Sequence, residues 1–159
     1  MSNTIQKVRA YFKAFGIDDK IKEFETSSAT VELAAKAVGT DPARIAKTLS
    51  FQADDRYLLI VCAGDTKIDN AKYKACFHTK AKMLAPNEVF TKIGHDIGGV
   101  CPFAVNDDVL IYLDQSLRRF ETVYPACGSA NSAIELSPEE IYRYADASGW
   151  VDVCKNKEI

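Results

Sequence analysis

The run Tyr57-Leu-Leu-Ile-Val-Cys-Ala63 constrains this chain more than any other segment. It is the longest apolar stretch in the sequence, and a membrane-spanning helix needs about 20 such residues. A transmembrane segment is therefore excluded, and the run reads as a strand. Just upstream, Leu49 and Phe51 alternate with Thr48 and Ser50, the period of a half-buried strand. Ala53-Asp-Asp-Arg56 between them makes a turn, so the two strands pair as a hairpin. Val109-Leu-Ile-Tyr-Leu113 is a second buried strand, and Ile21–Phe24, Thr122–Tyr124 and Ser132–Leu136 are short ones.

Helices fall between these strands. Ile5, Val8, Tyr11, Phe12 and Phe15 recur at helical spacing, and Gly16 stops them. Thr26, Ser27 and Ser28 offer caps for a helix over Val31–Val38, which Gly39 ends. Asp41-Pro42 reads as an N-cap followed by a first helical residue. Asp69 can cap a short helix through Lys74, and Ala85-Pro86-Asn87-Glu88 opens another through Lys92. Asp114 can cap a turn through Arg119, and Ser137-Pro-Glu-Glu140 is a capping box for a helix over Pro138–Ala145. Intermixed strands and helices predict an α+β fold with a mixed, mainly antiparallel sheet.

At 159 residues, with no linker, repeat or low-complexity stretch, the sequence predicts a single domain over 1–159. Its 47% hydrophobic and 26% charged residues suit a globular protein and exclude a disordered tail or a fibre. The opening MSNTIQKVRAYF carries no apolar stretch of signal-peptide type, which predicts a protein that is not secreted. Five scattered cysteines, at 62, 76, 101, 127 and 154, form no C-x-x-C pair and no zinc spacing. That pattern suits a reducing, cytoplasmic compartment.

The net charge of −2 excludes binding to nucleic acid through overall positive charge. The charge is segregated, however. Residues 64–92 hold Lys67, Lys72, Lys74, Lys80, Lys82 and Lys92 against three carboxylates, whereas residues 93–159 hold five basic and eleven acidic side chains. The lysines form either a solvated face or a docking surface for a polyanion.

No H-E-x-x-H, P-loop, G-x-S-x-G or G-x-G-x-x-G motif occurs, and only two histidines are present. The most informative segment is Gly94-His-Asp-Ile-Gly-Gly-Val-Cys-Pro102. Its glycines permit left-handed backbone and close approach to a ligand. Successive N–H groups there can form an oxyanion site, or the loop is simply a tight connection. His95 is a candidate base or substrate donor, or else a packing residue. Cys101 is a candidate nucleophile, but flanked by Val100 and Pro102 it resembles a small buried hydrophobe. Lys47 lies either on a solvent face or in a cleft, where its ammonium would suit phosphate or carboxylate. Asp114 is a cap first and a catalytic carboxylate second.

Six segments, in order, resemble the YbaK/prolyl-tRNA synthetase-associated domain family. They are Val31-Glu-Leu-Ala-Ala-Lys-Ala-Val-Gly39, Ile45-Ala-Lys-Thr-Leu49, Gly64-Asp-Thr-Lys-Ile-Asp69, Gly98-Gly-Val-Cys-Pro-Phe103, Val109-Leu-Ile-Tyr-Leu-Asp114 and Val123-Tyr-Pro-Ala-Cys-Gly128. The resemblance implies a cytoplasmic domain with a partly barrel-like sheet and flanking helices. It implies hydrolysis of the ester joining a wrong amino acid to tRNA, often tRNA-Pro, with no metal or cofactor. A prolyl-tRNA synthetase is a further partner it suggests, and DNA and membranes are not. The family's lysine maps to Lys47, its G-x-x-x-P loop to Gly98–Pro102, and its glycine before the last strand to Gly128. On this basis Lys47, Gly98 and Gly99 are expected to be catalytic. His95, Val100, Cys101, Pro102, Gly128 and Ser129 are expected to bind substrate, and Lys67, Lys72, Lys74 and Lys80 to contact tRNA. Two other classes remain open: a non-catalytic module of the same fold that binds tRNA or a synthetase, and a thiol-dependent regulator using Cys101 or Cys127.

Overall fold

The structure is a computed structural model that describes residues 4–157. Residues 1–3, which begin the stretch read above for a signal peptide, and residues 158–159 lie outside the described residues. The α-helices are α1 (Thr4–Lys13), α2 (Val31–Val38), α3 (Asn70–Phe77), α4 (Pro86–Ile93) and α5 (Pro138–Tyr144). The strands are β1 (Lys22–Glu23), β2 (Ile45–Ala53), β3 (Arg56–Ala63), β4 (Thr66–Ile68), β5 (Val109–Asp114), β6 (Tyr124–Pro125), β7 (Ser132–Ala133), β8 (Gly149–Val151) and β9 (Cys154–Asn156).

The hairpin is the centre of the molecule. β2 and β3 pair from Ala53↔Arg56 to Ala46↔Ala63, and Asp54 takes a left-handed φ of 56° in the two-residue turn. β5 runs parallel to β3, β8 parallel to β5, and β6 parallel to β2. The sheet order is β6-β2-β3-β5-β8, with β1–β7 and β4–β9 as separate antiparallel ribbons. The sheet is thus mixed: its longest ladder is antiparallel and the three shorter ones are parallel. β3 lies between β2 and β5 with layers on both faces, and this placement explains its unbroken apolar run. Leu59, Val61 and Ala63 join a core with Val8 and Phe12 of α1, Cys101, Phe103 and Ile141. Leu58, Ile60 and Cys62 join a second core with Tyr73 of α3, Val153 and Cys154.

Two of the predicted single-residue caps form as read: Asp41 accepts from the Ala43 N–H, and Asp69 from Ala71 and Lys72. The cap of α2 is instead Thr30, which accepts from the Leu33 N–H, rather than Thr26, Ser27 or Ser28, because the helix starts at Val31 and only the residue just before it can reach the free N–H groups of the first turn. Ser137 and Glu140 make the reciprocal capping box. Asp114 is a structural carboxylate. Its Oδ2 accepts from the Ser116 N–H at 2.9 Å and its Oδ1 from the Val153 N–H at 2.8 Å, so both oxygens are committed. Phe15 falls beyond the end of α1 and is 44% exposed, so the buried stripe of that helix stops at Phe12.

One edge of β2 is interrupted. β6 covers it at Ile45 and Ala46. The segment around Met83 covers it again further on, where the Leu84 N–H donates to the Ser50 carbonyl and the Gln52 N–H to the Lys82 carbonyl. Backbone direction alternates along a strand, so Thr48 turns its N–H and C=O outward as Ser50 and Gln52 do. Neither β6 nor the 82–84 segment reaches it. This gap is where the cavity described next opens.

Candidate active site

A cavity of about 330 Å³ fills the gap. Residues 28–31 and α2 form one wall, β2 the floor, and Met83, Leu84 and α4 a second wall. The loop Ile97–Val100 and the segments around Tyr124–Ala126 and Ser132–Ala133 close it. Most of the lining is apolar. Hydroxyls are supplied by Ser28, Thr30, Thr48, Ser50, Tyr124 and Ser132. Lys47 is the one charged residue among the described lining residues, none of which is histidine, cysteine, aspartate or glutamate.

Lys47 and Thr48 leave β2 on opposite faces, because successive strand residues alternate. Lys47 shares its face with its cross-strand partner Cys62. Its half-buried ammonium donates to the carbonyl of Thr66 on β4. Burial lowers the Lys47 pKa from its ordinary value, and the like charge of Lys157 adds to that, while Cys62 and Cys154 oppose it. A lysine ammonium has three donors, so two remain for a ligand while the bond to Thr66 holds. Thr48 faces the other way, and its buried Oγ1 has no hydrogen-bond partner. A buried hydroxyl left unpaired costs about 1–3 kcal/mol, which a polar ligand group or a water would recover. The sequence reading passed over Thr48. The signal for it was the pairing of Thr48 and Ser50 on one face of a strand beside the small residue Ala46.

The loop meets its expectations in part. Gly98 lines the cavity at a φ of 90°, a backbone state that requires glycine, and Val100 lines it too. Gly99 does not line it. The Gly99 N–H donates to the Asp96 carbonyl at 3.1 Å, so it is not free to polarise an ester. A Cβ at Gly99 would sit 2.6 Å from the backbone of Gly128 and Ser129, so this glycine is needed for close packing. Gly128 is also a packing position, walled by the Thr4 backbone. It does not precede the final strand, since β8 and β9 follow β7.

His95, Cys101, Pro102, Gly128 and Ser129 all lie away from the cavity lining. His95 is fully buried, with Nε2 2.6 Å from the Phe103 carbonyl and Nδ1 unpartnered. Burial pushes its pKa down to about 4, so it is a neutral loop anchor. Burial likewise pushes the Cys101 thiol up to about 12, and the Cys127 thiol well above its ordinary range. Both are sealed at 0% exposure, which leaves thiol-based regulation at these two positions without an accessible thiolate. Pro102 borders a separate, smaller cavity with Tyr11 and Asp146. The Ser129 hydroxyl bonds Asn131 and Ser132, so it touches the site only through Ser132.

The basic residues spread over α3, β4 and the following loop. Lys67, Lys72, Lys74 and Lys80 are all exposed. Lys72 is engaged within the protein, donating to Asp152 at 3.0 Å and to the Cys154 carbonyl at 3.1 Å.

With this geometry in hand, the likenesses to known proteins are informative. A family model described as the aminoacyl-tRNA editing domain matches residues 25–144, which contain the whole cavity lining. The uncharacterized protein YwhH of Bacillus subtilis (strain 168) is 53% identical over 156 residues, covering 98% of this chain and 99% of that protein. The proline–tRNA ligase of the same strain is 30% identical over 99 residues, which are 62% of this chain but only 16% of the ligase. A crystal structure of a candidate trans-editing enzyme for prolyl-tRNA synthetase superposes with a TM-score of 0.87 at 26% identity, covering 98% of this chain and 99% of that one. Among the described residues no helix is long and apolar enough to cross a membrane. The family match over most of the chain, the full-length structural likeness and the cavity between them establish that the chain belongs to the aminoacyl-tRNA editing domain family, the YbaK/prolyl-tRNA synthetase-associated family.

Proposed function

We propose that this protein is a cytoplasmic trans-editing deacylase. It hydrolyses the ester of mischarged tRNA, with tRNA-Pro bearing alanine, cysteine, serine or threonine as the substrate. The observation that carries this reading is the makeup of the cavity: among its described lining residues are several hydroxyls, apolar walls and one lysine on the β2 edge, with no histidine, cysteine or carboxylate to act as a base or an activated nucleophile. An aminoacyl ester is already activated relative to an amide. Such a site therefore has to position the ester and stabilise the developing oxyanion rather than supply a covalent intermediate.

In the proposed reaction Lys47 holds the terminal adenosine phosphate from one face of β2. The ester lies across the gap, with its acyl group beside Thr48 on the other face. Backbone at Gly98 and Val100 orients the carbonyl. Water adds to the ester carbon, the ribose oxygen leaves with a proton, and the amino acid and free tRNA separate. At about 330 Å³ the cavity is at the small end of ligand pockets, which favours a small acyl group. Lys67, Lys72, Lys74 and Lys80 extend the contact to the tRNA backbone, and a prolyl-tRNA synthetase is the partner that would present the substrate.

A deacylation panel tests this. Purified protein is offered tRNA-Pro charged with alanine, cysteine, serine, threonine or proline. Hydrolysis of at least one mischarged species, with Pro-tRNA-Pro spared, is expected. Binding without hydrolysis of any of them would instead identify a non-catalytic module of the same fold.

Thr48→Val separates recognition from stability. It keeps the side-chain volume and removes the unpartnered hydroxyl. Thermal stability should be unchanged or rise by up to about 1 kcal/mol. The kcat/KM for the preferred acyl group should fall about tenfold, the worth of one hydrogen bond of roughly 1–1.5 kcal/mol. An unchanged kcat/KM for every member of the panel would remove Thr48 from the site.

A further inference from the structure

We propose that the β4–β9 ribbon is a phosphate-binding surface that holds the tRNA backbone beside the cavity, with Lys67, Lys155 and Lys157 as its contacts. The identity of the RNA rests on the deacylase reading above; the anion-binding surface does not.

The register provides the first observation. Lys67 on β4 stands directly opposite Lys155 on β9. Directly opposed residues of an antiparallel pair share a face, and like charges there are destabilising. Both lysines are exposed, as is Lys157 just beyond β9. The 22 acidic side chains of this chain offered ample means to neutralise the position, yet the carboxylates around it are committed elsewhere. Asp65 is held by Arg119 at 2.6 and 3.0 Å. Asp69 caps α3 through the N–H groups of Ala71 and Lys72. Asp152 is paired with Lys72 at 3.0 Å. Among the described residues, none of Lys67, Lys155 and Lys157 has a carboxylate within salt-bridge distance. Three ammonium groups without a directly bonded carboxylate, two on the ribbon and one just beyond it, are what a polyanion requires. The Asp69 carboxylate, which the Lys72 N–H and then the charge of Lys155 hold below its ordinary pKa, is already bonded to the start of α3.

The second observation is where the ribbon sits. The ammonium of Lys47 ends on the carbonyl of Thr66, the residue before Lys67. The Lys157 N–H bonds the Asp65 carbonyl at 2.9 Å, tying the end of the ribbon to the same turn. Lys157 is also close enough to Lys47 to influence its proton affinity. The charges therefore lead from Lys47, on the β2 edge that borders the cavity, to the turn and ribbon beside it. A single-stranded 3′ end entering the cavity would lay its phosphates along that line.

The test is equilibrium binding of uncharged tRNA as a function of salt, using the whole protein. Each neutralised phosphate contributes a slope of about 0.7–0.9 in log K against log salt. For Lys67→Gln/Lys155→Gln the slope should fall by roughly 1.4–1.8, so that between about 50 and 200 mM salt it loses about tenfold less affinity than the parent. Lys67→Glu places an opposite charge across from Lys155, so it should weaken tRNA binding while holding or raising the melting temperature. A double glutamine variant that matches the parent in slope and affinity overturns the proposal, and so does a parent protein that fails to bind tRNA. Reduced slope without any deacylation in the panel would uphold the ribbon and overturn the deacylase reading alone.

Discussion

Replacing Lys47 with alanine is expected to slow ester hydrolysis by about a hundredfold or more, the scale on which a lost positioning contact acts. Lys47 is the one charged residue among the described residues that line the cavity, so no other of them can substitute for its charge. The loss in stability should be smaller than the loss in rate. The ammonium gains a bond to the Thr66 carbonyl but gives up hydration to reach it. Lys47→Met retains the stem and its packing and should lose the same rate, which separates charge from bulk. The pH dependence follows from the lowered pKa. After subtraction of spontaneous ester hydrolysis, the rate should decline on the alkaline side at a pH below the ordinary lysine value of about 10.4. Stability should move the other way. In that window the unfolded chain holds the proton and the folded one does not, so stability rises with pH. Full deacylation by Lys47→Ala would remove Lys47 from the site and leave the fold assignment intact.

Acid is expected to destabilise the protein through His95. Folded, this imidazole stays neutral down to about 4; unfolded, it titrates near 6.5. The folded-state pKa is depressed, so between those values only the unfolded chain gains the proton, and stability falls as pH drops from about 6.5 to 4. A shift of that size corresponds to about 3 kcal/mol. Lys7 contributes to the depression, and Asp96 and the Phe103 carbonyl oppose it. His95→Gln offers an amide donor for the Phe103 carbonyl and does not titrate. Its melting temperature should be lower than the parent's at pH 7 and closer to it at pH 4. Parallel pH profiles for the two proteins would show that acid acts elsewhere.

The hairpin, the capped helices and the family segments were legible because each has a local cause: a period, a cap or a turn residue. β8 and β9 were not. They are three residues each, and they form by docking on β5 and β4 rather than through any pattern of their own. The same effect hid the ribbon. Lys155 and Lys157 belong to the acidic stretch 93–159 of the sequence, but the pairing of β4 with β9 brings them to Lys67 in the basic stretch 64–92. Of the residues singled out in the sequence, Lys47, Gly98 and Val100 border the cavity. Gly99, His95, Cys101 and Gly128, singled out for catalysis or substrate binding, lie away from its lining at closely packed or buried positions. Glycine and small buried residues serve close contact and catalysis with the same residue types, and only the third dimension tells which. Thr48 shows the converse, a plain alternating threonine that becomes distinctive once its hydroxyl is seen unpaired.

The interruption in the β2 edge has a consequence for self-association. An open strand edge is a template on which another chain can add, and long exposed edges invite aggregation. Here the exposed stretch is only as long as the gap between β6 and the 82–84 segment, and both of its ends are already capped by pairing. An incoming strand would have to displace one of those covers to establish a register. A small ligand would not, because it needs only the donor and acceptor that a single residue presents. The fold thus keeps a length of unpaired backbone available to a substrate while denying it to another protein.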